Sequence, residues 1–192
     1  MTPEQRSESA KTIILTHMSY ATAAGLIPIP IADLAAVSAI HVDMLRQLAK
    51  LYEVDYSEST GKTLIAAVGG SLLARIGASA IKAIPGLGTI VGEITGAAVS
   101  AATTYALGHT FKWHFENGGD MTNVDLDTAK NLFKQELEKG KKIATDLIKN
   151  EKQKSPTDQI MEKIEKLSDL YKKGAITEQD FETQKQRLLN QL

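Results

Sequence analysis

The chain has 192 residues, 43% hydrophobic, 23% charged and 5% aromatic, with 22 basic against 23 acidic side chains and no cysteine. That length and apolar fraction suffice for one buried core plus a small appendage, which excludes wholesale disorder. A net charge of -1 offers no basic field to a phosphate backbone, setting nucleic acid aside as a partner, and the missing Cys removes disulfides, thiolate catalysis and Cys-ligated zinc.

The opening MTPEQRSESAK, with Glu4, Arg6, Glu8 and Lys11, is unlike the basic start and apolar run of a secretory signal. Charge is unevenly spread: residues 1–119 hold 17 of the 45 charged side chains and residues 120–192 hold 28. A weakly charged Ala/Gly-rich block is therefore followed by highly charged amphipathic segments. No stretch of the first block alternates with period two, and its runs are longer than strands need, so helices are predicted throughout.

Helix 1 is expected over residues 7–27, stopped by Pro28 and Pro30, and helix 2 over 31–53. Asp55 or Ser57 caps helix 3, which reaches Ala83; Pro85-Gly86 breaks the chain, and helix 4 runs to Glu116 before Asn117-Gly118-Gly119. Thr122 with Asp125 reads as a capping box for helix 5, whose apolar set Val124, Leu132, Phe133, Leu137, Ile143 and Leu147 carries it to Asn150. The polar EKQKSPTD is a linker. Ile160, Ile164, Leu167 and Tyr171 then recur at helical spacing up to Gly174, and Thr177 with Asp180 caps a last helix carrying Phe181, Leu188, Leu189 and Leu192. A hairpin of some 35 residues cannot hold a large core alone, so its stripe at Leu167, Tyr171, Phe181, Leu188 and Leu189 is expected to seek another surface.

AAGLIPIPIADLAAVSAI and ASAIKAIPGLGTIVGEITGAAVSA share an Ala-rich helix, an Ile-Pro break and an acidic residue, Asp33 or Glu93, early in a second Ala-rich helix. Two pseudo-equivalent hairpins or a coincidence of composition both account for this.

The blocks PIPIADLAAVSAIHVDMLRQLAKLYEVD and AIPGLGTIVGEITGAAVSAATTYALG, within residues 20–117, resemble the YcjF-like family of unknown function that often accompanies Era-like GTPases in bacteria. Residues 158–192, matched at Leu167, Leu170, Gly174, Ile176, Thr177, Phe181, Lys185 and Leu188-Leu189, resemble a SHOCT (short C-terminal) domain. These resemblances imply a membrane-associated protein with an oligomerising or interacting appendage, and neither supplies a catalytic residue.

Candidate chemistry is sparse. Gly61-Lys62-Thr63 matches the end of a phosphate-binding loop, but Tyr56 stands where its first Gly belongs and no strand precedes it. His109 and His114 point about 140° apart on a helix, and His41 diverges from Asp43 and Asp33, so no metal site forms from His17, His41, His109 and His114. No nucleophile elbow supports a hydrolase. Neither a cofactor nor a metal is expected.

Between Thr63 and Phe111 only Arg75, Lys82 and Glu93 carry a formal charge, and Arg75 and Glu93 lie at similar distances from Pro85, which makes them a candidate buried ion pair. Gly88, Gly92 and Gly96, continued by Ser100 and Thr104, form a small-residue row suited to close helix contact and assembly. Residues 12–32 carry no formal charge and 94–111 are rich in Ala, Gly, Ser and Thr, yet prolines, His17 and hydroxyls make either span marginal.

The sequence thus specifies an all-α fold: a helical-hairpin core with a Gly/Ala-rich central hairpin (1–150), a linker (151–157) and a C-terminal αα-hairpin (158–192). The expected function is non-enzymatic: a self-assembling bacterial protein at the cytoplasmic membrane or its cytoplasmic face, an anchor or remodelling partner for a GTPase in trans. Its expected partners are further copies of itself, membrane lipid and that GTPase. The alternative is a soluble, cytoplasmic homo-oligomeric scaffold.

Overall fold

The computed structural model describes residues 1–26, 32–77 and 96–192. Among them the chain forms seven helices and no strand: α1 (Pro3–Leu26), α2 (Ala32–Leu51), α3 (Glu58–Gly77), α4 (Gly96–Glu116), α5 (Leu126–Gln153), α6 (Pro156–Lys172) and α7 (Glu178–Leu189). The all-α expectation holds. None of these helices is long and apolar enough to cross a membrane.

α4 is the axis of the core. It packs on α5 and α1 and also touches α2 and α3. Small side chains make this possible: Ala97, Ala101, Ala102, Thr103, Thr104 and Ala106 are all buried, so neighbours approach on several sides. A helix buried all round must satisfy its own polar groups. Thr103, Thr104 and Thr110 do so by donating to the carbonyls of Val99, Ser100 and Ala106, each at 2.8 Å. The uncharged run of α1 is likewise spent on the core, with Ile14, Met18 and Ala21 fully buried.

α5 buries Ala129, Phe133, Glu136, Gly140 and Ala144, a row at helical spacing. Of the predicted apolar set only Phe133 lies on that row's floor; Val124, Leu132, Leu137, Ile143 and Leu147 flank it half-buried. The stripe runs through Ala and Gly because α5 comes very close to α4. A Cβ on Gly140 would stand 2.8 Å from the Ala102 carbonyl oxygen and 3.1 Å from its Cα.

Three helices end alike. The amides of Val54, Gly119 and Ala175 reach back to the carbonyls of Ala49, His114 and Leu170, with a left-handed residue just before or within each turn: Glu53 (φ 60°), Gly118 (φ 78°) and Gly174 (φ 69°). Glycine announces the last two. Nothing in sequence announces Glu53, where the left-handed backbone costs about 1 kcal/mol, so α2 stops at Leu51 rather than residue 53.

Two other boundaries differ from expectation. Thr122 does not cap α5: its amide and hydroxyl both donate to Asp120 Oδ1, at 2.6 and 2.7 Å, and Asp125 takes the cap position, accepting from Asp127 N and Thr128 Oγ1. The polar stretch expected to be linker is largely helical, since α5 continues to Gln153 and α6 begins at Pro156. Lys154 and Ser155 alone connect them. The predicted Thr177–Asp180 capping box is present with both of its reciprocal bonds.

Candidate functional site

Asp43, past the middle of α2, collects donors from three directions. Arg46 Nη2 reaches its Oδ1 at 2.6 Å, while Oδ2 accepts from Lys173 Nζ at 2.6 Å, Gln47 Nε2 at 3.0 Å and His17 Nε2 at 3.1 Å. One carboxylate thereby ties α1, α2 and the turn of the C-terminal hairpin together. Its side chain is only 13% exposed. Burial alone would raise its pKa, but the hydrogen bonds from Lys173, Arg46 and His17 outweigh burial and hold the carboxyl well below the usual carboxylate range. With roughly four acceptor sites on a carboxylate, Asp43 has little left to offer a substrate. It is built as a junction, not as a base.

Around the junction the hairpin is seated on the core. Ile160, Leu167, Leu170, Ile176 and Leu188 are buried in one cluster with Ala21, Ala24 and Ile40 of α1 and α2. Tyr20 Oη donates to Asp169 at 3.3 Å, and Lys173 lies 5.4 Å above the Tyr20 ring. Of the predicted interaction stripe, Leu167 and Leu188 are therefore occupied within the chain. Phe181 is half-buried and stacks on Tyr171, while Tyr171 and Leu189 remain exposed.

The other expected positions fall as follows. Gly88, Gly92 and Glu93 lie outside the described residues, as does the side chain of Arg75, so both the glycine row and the Arg75–Glu93 pair fall beyond what is described. Gly96 opens α4, and the row's continuation, Ser100 and Thr104, is buried. Lys62 of the Gly-Lys-Thr tripeptide sits within α3 and pairs with Glu58 at 2.6 Å. His109 packs against the Tyr105 ring at 4.2 Å, and His114 Nε2 lies 2.9 Å from the Asp120 carbonyl. No group of three His, Asp or Glu that could hold a metal occurs among the described residues.

His41, close to the junction on α2, is as deeply buried as His17. It is 1% exposed, and its Nε2 meets Thr104 Oγ1 at 2.9 Å. Because that hydroxyl donates to Ser100, it must accept from His41, leaving Nδ1 as a lone pair with no partner. Burial first, and His17 second, push the His41 pKa down to about 3. The unfolded chain therefore binds protons near pH 6.5 that the folded chain refuses, and stability falls as pH drops from about 6.5 toward 3. His109, lowered chiefly by burial, adds in the same sense. Denaturant titrations should show a loss of about 2 kcal/mol between pH 7.5 and 5, and His41→Gln should flatten that slope.

Residues 1–142 match the family described as a domain of unknown function, DUF697, and residues 162–189 match the short C-terminal domain, SHOCT. The chain belongs to the DUF697 family. Magnetosome membrane protein 22 of Magnetospirillum gryphiswaldense is 36% identical over 156 residues, spanning 79% of this DUF697 chain and 80% of that protein. No solved structure matches this chain. The two matches bracket the junction: Asp43 and His17 belong to the DUF697 region and Lys173 to SHOCT. Sequence reasoning missed all three as a set. Asp43 and Gln47 stand four apart on one helix, but Lys173 is 130 residues away and carries no local signal.

Proposed function

We propose that this chain is a non-enzymatic, membrane-associated bacterial protein that self-assembles and acts as an anchor or remodelling partner at the membrane surface, with a GTPase working in trans. The observation that carries this reading is the similarity, across four fifths of its length, to a protein named for a membrane. None of the described helices is long and apolar enough to cross a bilayer; the placement we propose is the cytoplasmic membrane or its cytoplasmic face. The GTPase rests on the resemblance of residues 20–117 to the YcjF-like family, and self-assembly on the C-terminal hairpin and the small-residue row. A second reading, a homo-oligomeric scaffold without membrane contact, is favoured by the burial of Ile14, Met18 and Ala21, which consumes the uncharged face of α1 inside the protein.

Membrane fractionation of the expressed full chain separates the two. The proposed function expects it in the membrane pellet and its release by alkaline carbonate. Recovery wholly in the supernatant, with no flotation on vesicles of bacterial lipid, leaves the scaffold.

A further inference from the structure

We infer that the C-terminal hairpin is exchangeable between copies: the contact it makes on its own α1–α2 face is one it also makes on that face of a second copy, so that assembly proceeds by hairpin exchange. This rests on the self-assembly reading above and names the surface through which it happens.

The packing divides cleanly. The two clusters that hold α1 to α5 together, one around Ile14, Leu107 and Phe111 and one around Met18, Ala102 and Ala144, contain no residue beyond 153. Among the described residues, those of the hairpin are buried in the third cluster, where the core contributes the small side chains Ala21 and Ala24 together with Ile40. Among the described contacts, lifting the hairpin away costs that cluster, the Lys173–Asp43 ion pair, the Lys173–Tyr20 ring contact and the Tyr20–Asp169 hydrogen bond, and spares the two clusters of the main core. Every one of those contacts is regained when the hairpin of a second copy takes the seat, as in any exchange of identical elements.

The hairpin also has internal contacts that do not depend on its seat. Its helices pack on one another, Tyr171 and Phe181 stack at 5.4 Å, and its turn is fixed by Gly174 and the Thr177–Asp180 box. The connection favours exchange because it is so short. Only Lys154 and Ser155 join the 28-residue α5 to α6, with Ser155 extended (φ -61°, ψ 150°) and its hydroxyl accepting from Asp158 N. A change of ψ at this one residue swings the whole hairpin about the end of a rod, and short hinges are those that exchange most readily. The balance between closed and exchanged forms depends on local concentration, which rises on any surface that gathers the chain.

Charge reversal at the ion pair tests this. Asp43→Lys and Lys173→Asp each place like charges at their own seat. In a 1:1 mixture, exchange gives one native and one reversed pair. By light scattering, each variant alone should run at 20.8 kDa, and the mixture should give a species of about twice that mass. A mixture that behaves as the sum of its parts overturns exchange. Should Asp43→Lys fail to fold, a Gly/Ser insertion between Lys154 and Ser155 of the native chain replaces it: a longer, unconstrained tether favours the hairpin on its own seat over exchange, and the oligomer fraction should fall several-fold. An oligomer indifferent to the insertion overturns exchange and leaves self-assembly standing. A native chain that stays at 20.8 kDa at every concentration removes both.

Discussion

Gly140→Leu is expected to cost the fold about 3 kcal/mol or more, at the upper end of what overpacking does. The Cβ alone would meet the Ala102 carbonyl oxygen at 2.8 Å, and backbone cannot turn aside as a side chain can. Even alanine should destabilise. Its better helix propensity returns about 0.5–1 kcal/mol, less than the separation of α4 and α5 costs, for a net loss of about 1–2 kcal/mol. Gly70 supplies the contrast: it lies within α3, and nothing stands within 4 Å of a Cβ built there, so Gly70→Ala should gain the propensity alone. Urea midpoints for the three variants decide the matter. A Gly140→Ala variant stabilised like Gly70→Ala would mean that α4 and α5 are not in close contact.

Asp43→Ala should be nearly as damaging, at about 2–3 kcal/mol, because it strips charged hydrogen bonds from a part-buried site. Lys173 and Arg46 are exposed enough to turn toward water, at 32% and 64%, so the lasting penalty falls on the buried His17. The loss has a pH signature. Since the folded Asp43 has a depressed pKa, its contribution is complete above the unfolded value near 4 and disappears as pH falls through the lower folded one. Denaturation curves of the native chain and the variant should therefore converge below pH 4. A gap that persists in strong acid would show that Asp43 acts through packing rather than charge. Asp43→Ala should also loosen the C-terminal hairpin, seen as faster amide exchange at Ala175 and Ile176, which are buried at its turn.

Local chemistry explains why so many elements could be read in advance. Helix ends at Gly118 and Gly174 follow from the left-handed backbone that glycine alone adopts freely, and the start of α7 from the reciprocal bonds of Thr177 and Asp180. The start of α5 misled because Thr122 and Asp125 have the right spacing for a capping box, while Asp120 offers Thr122 a closer acceptor. Its buried face misled for a different reason. Hydrophobic periodicity weights large side chains, whereas Ala129, Gly140 and Ala144 are buried for being small, a property that matters only once α4 lies against them.

What the sequence determined by itself is the helical class, the order of the helices and the capped, SHOCT-like hairpin at the C-terminus, because each depends on residues within a few turns of one another. Tertiary structure decided the rest. That Leu167 and Leu188 of the hairpin stripe close on α1 and α2, that His17, Asp43 and Lys173 meet, and that His41 is driven neutral in the core depend on chain segments as far apart as Tyr20 and Asp169, 149 residues from one another. Such contacts are selected by the total burial and hydrogen bonding of the folded chain, and no local stretch of sequence carries that sum.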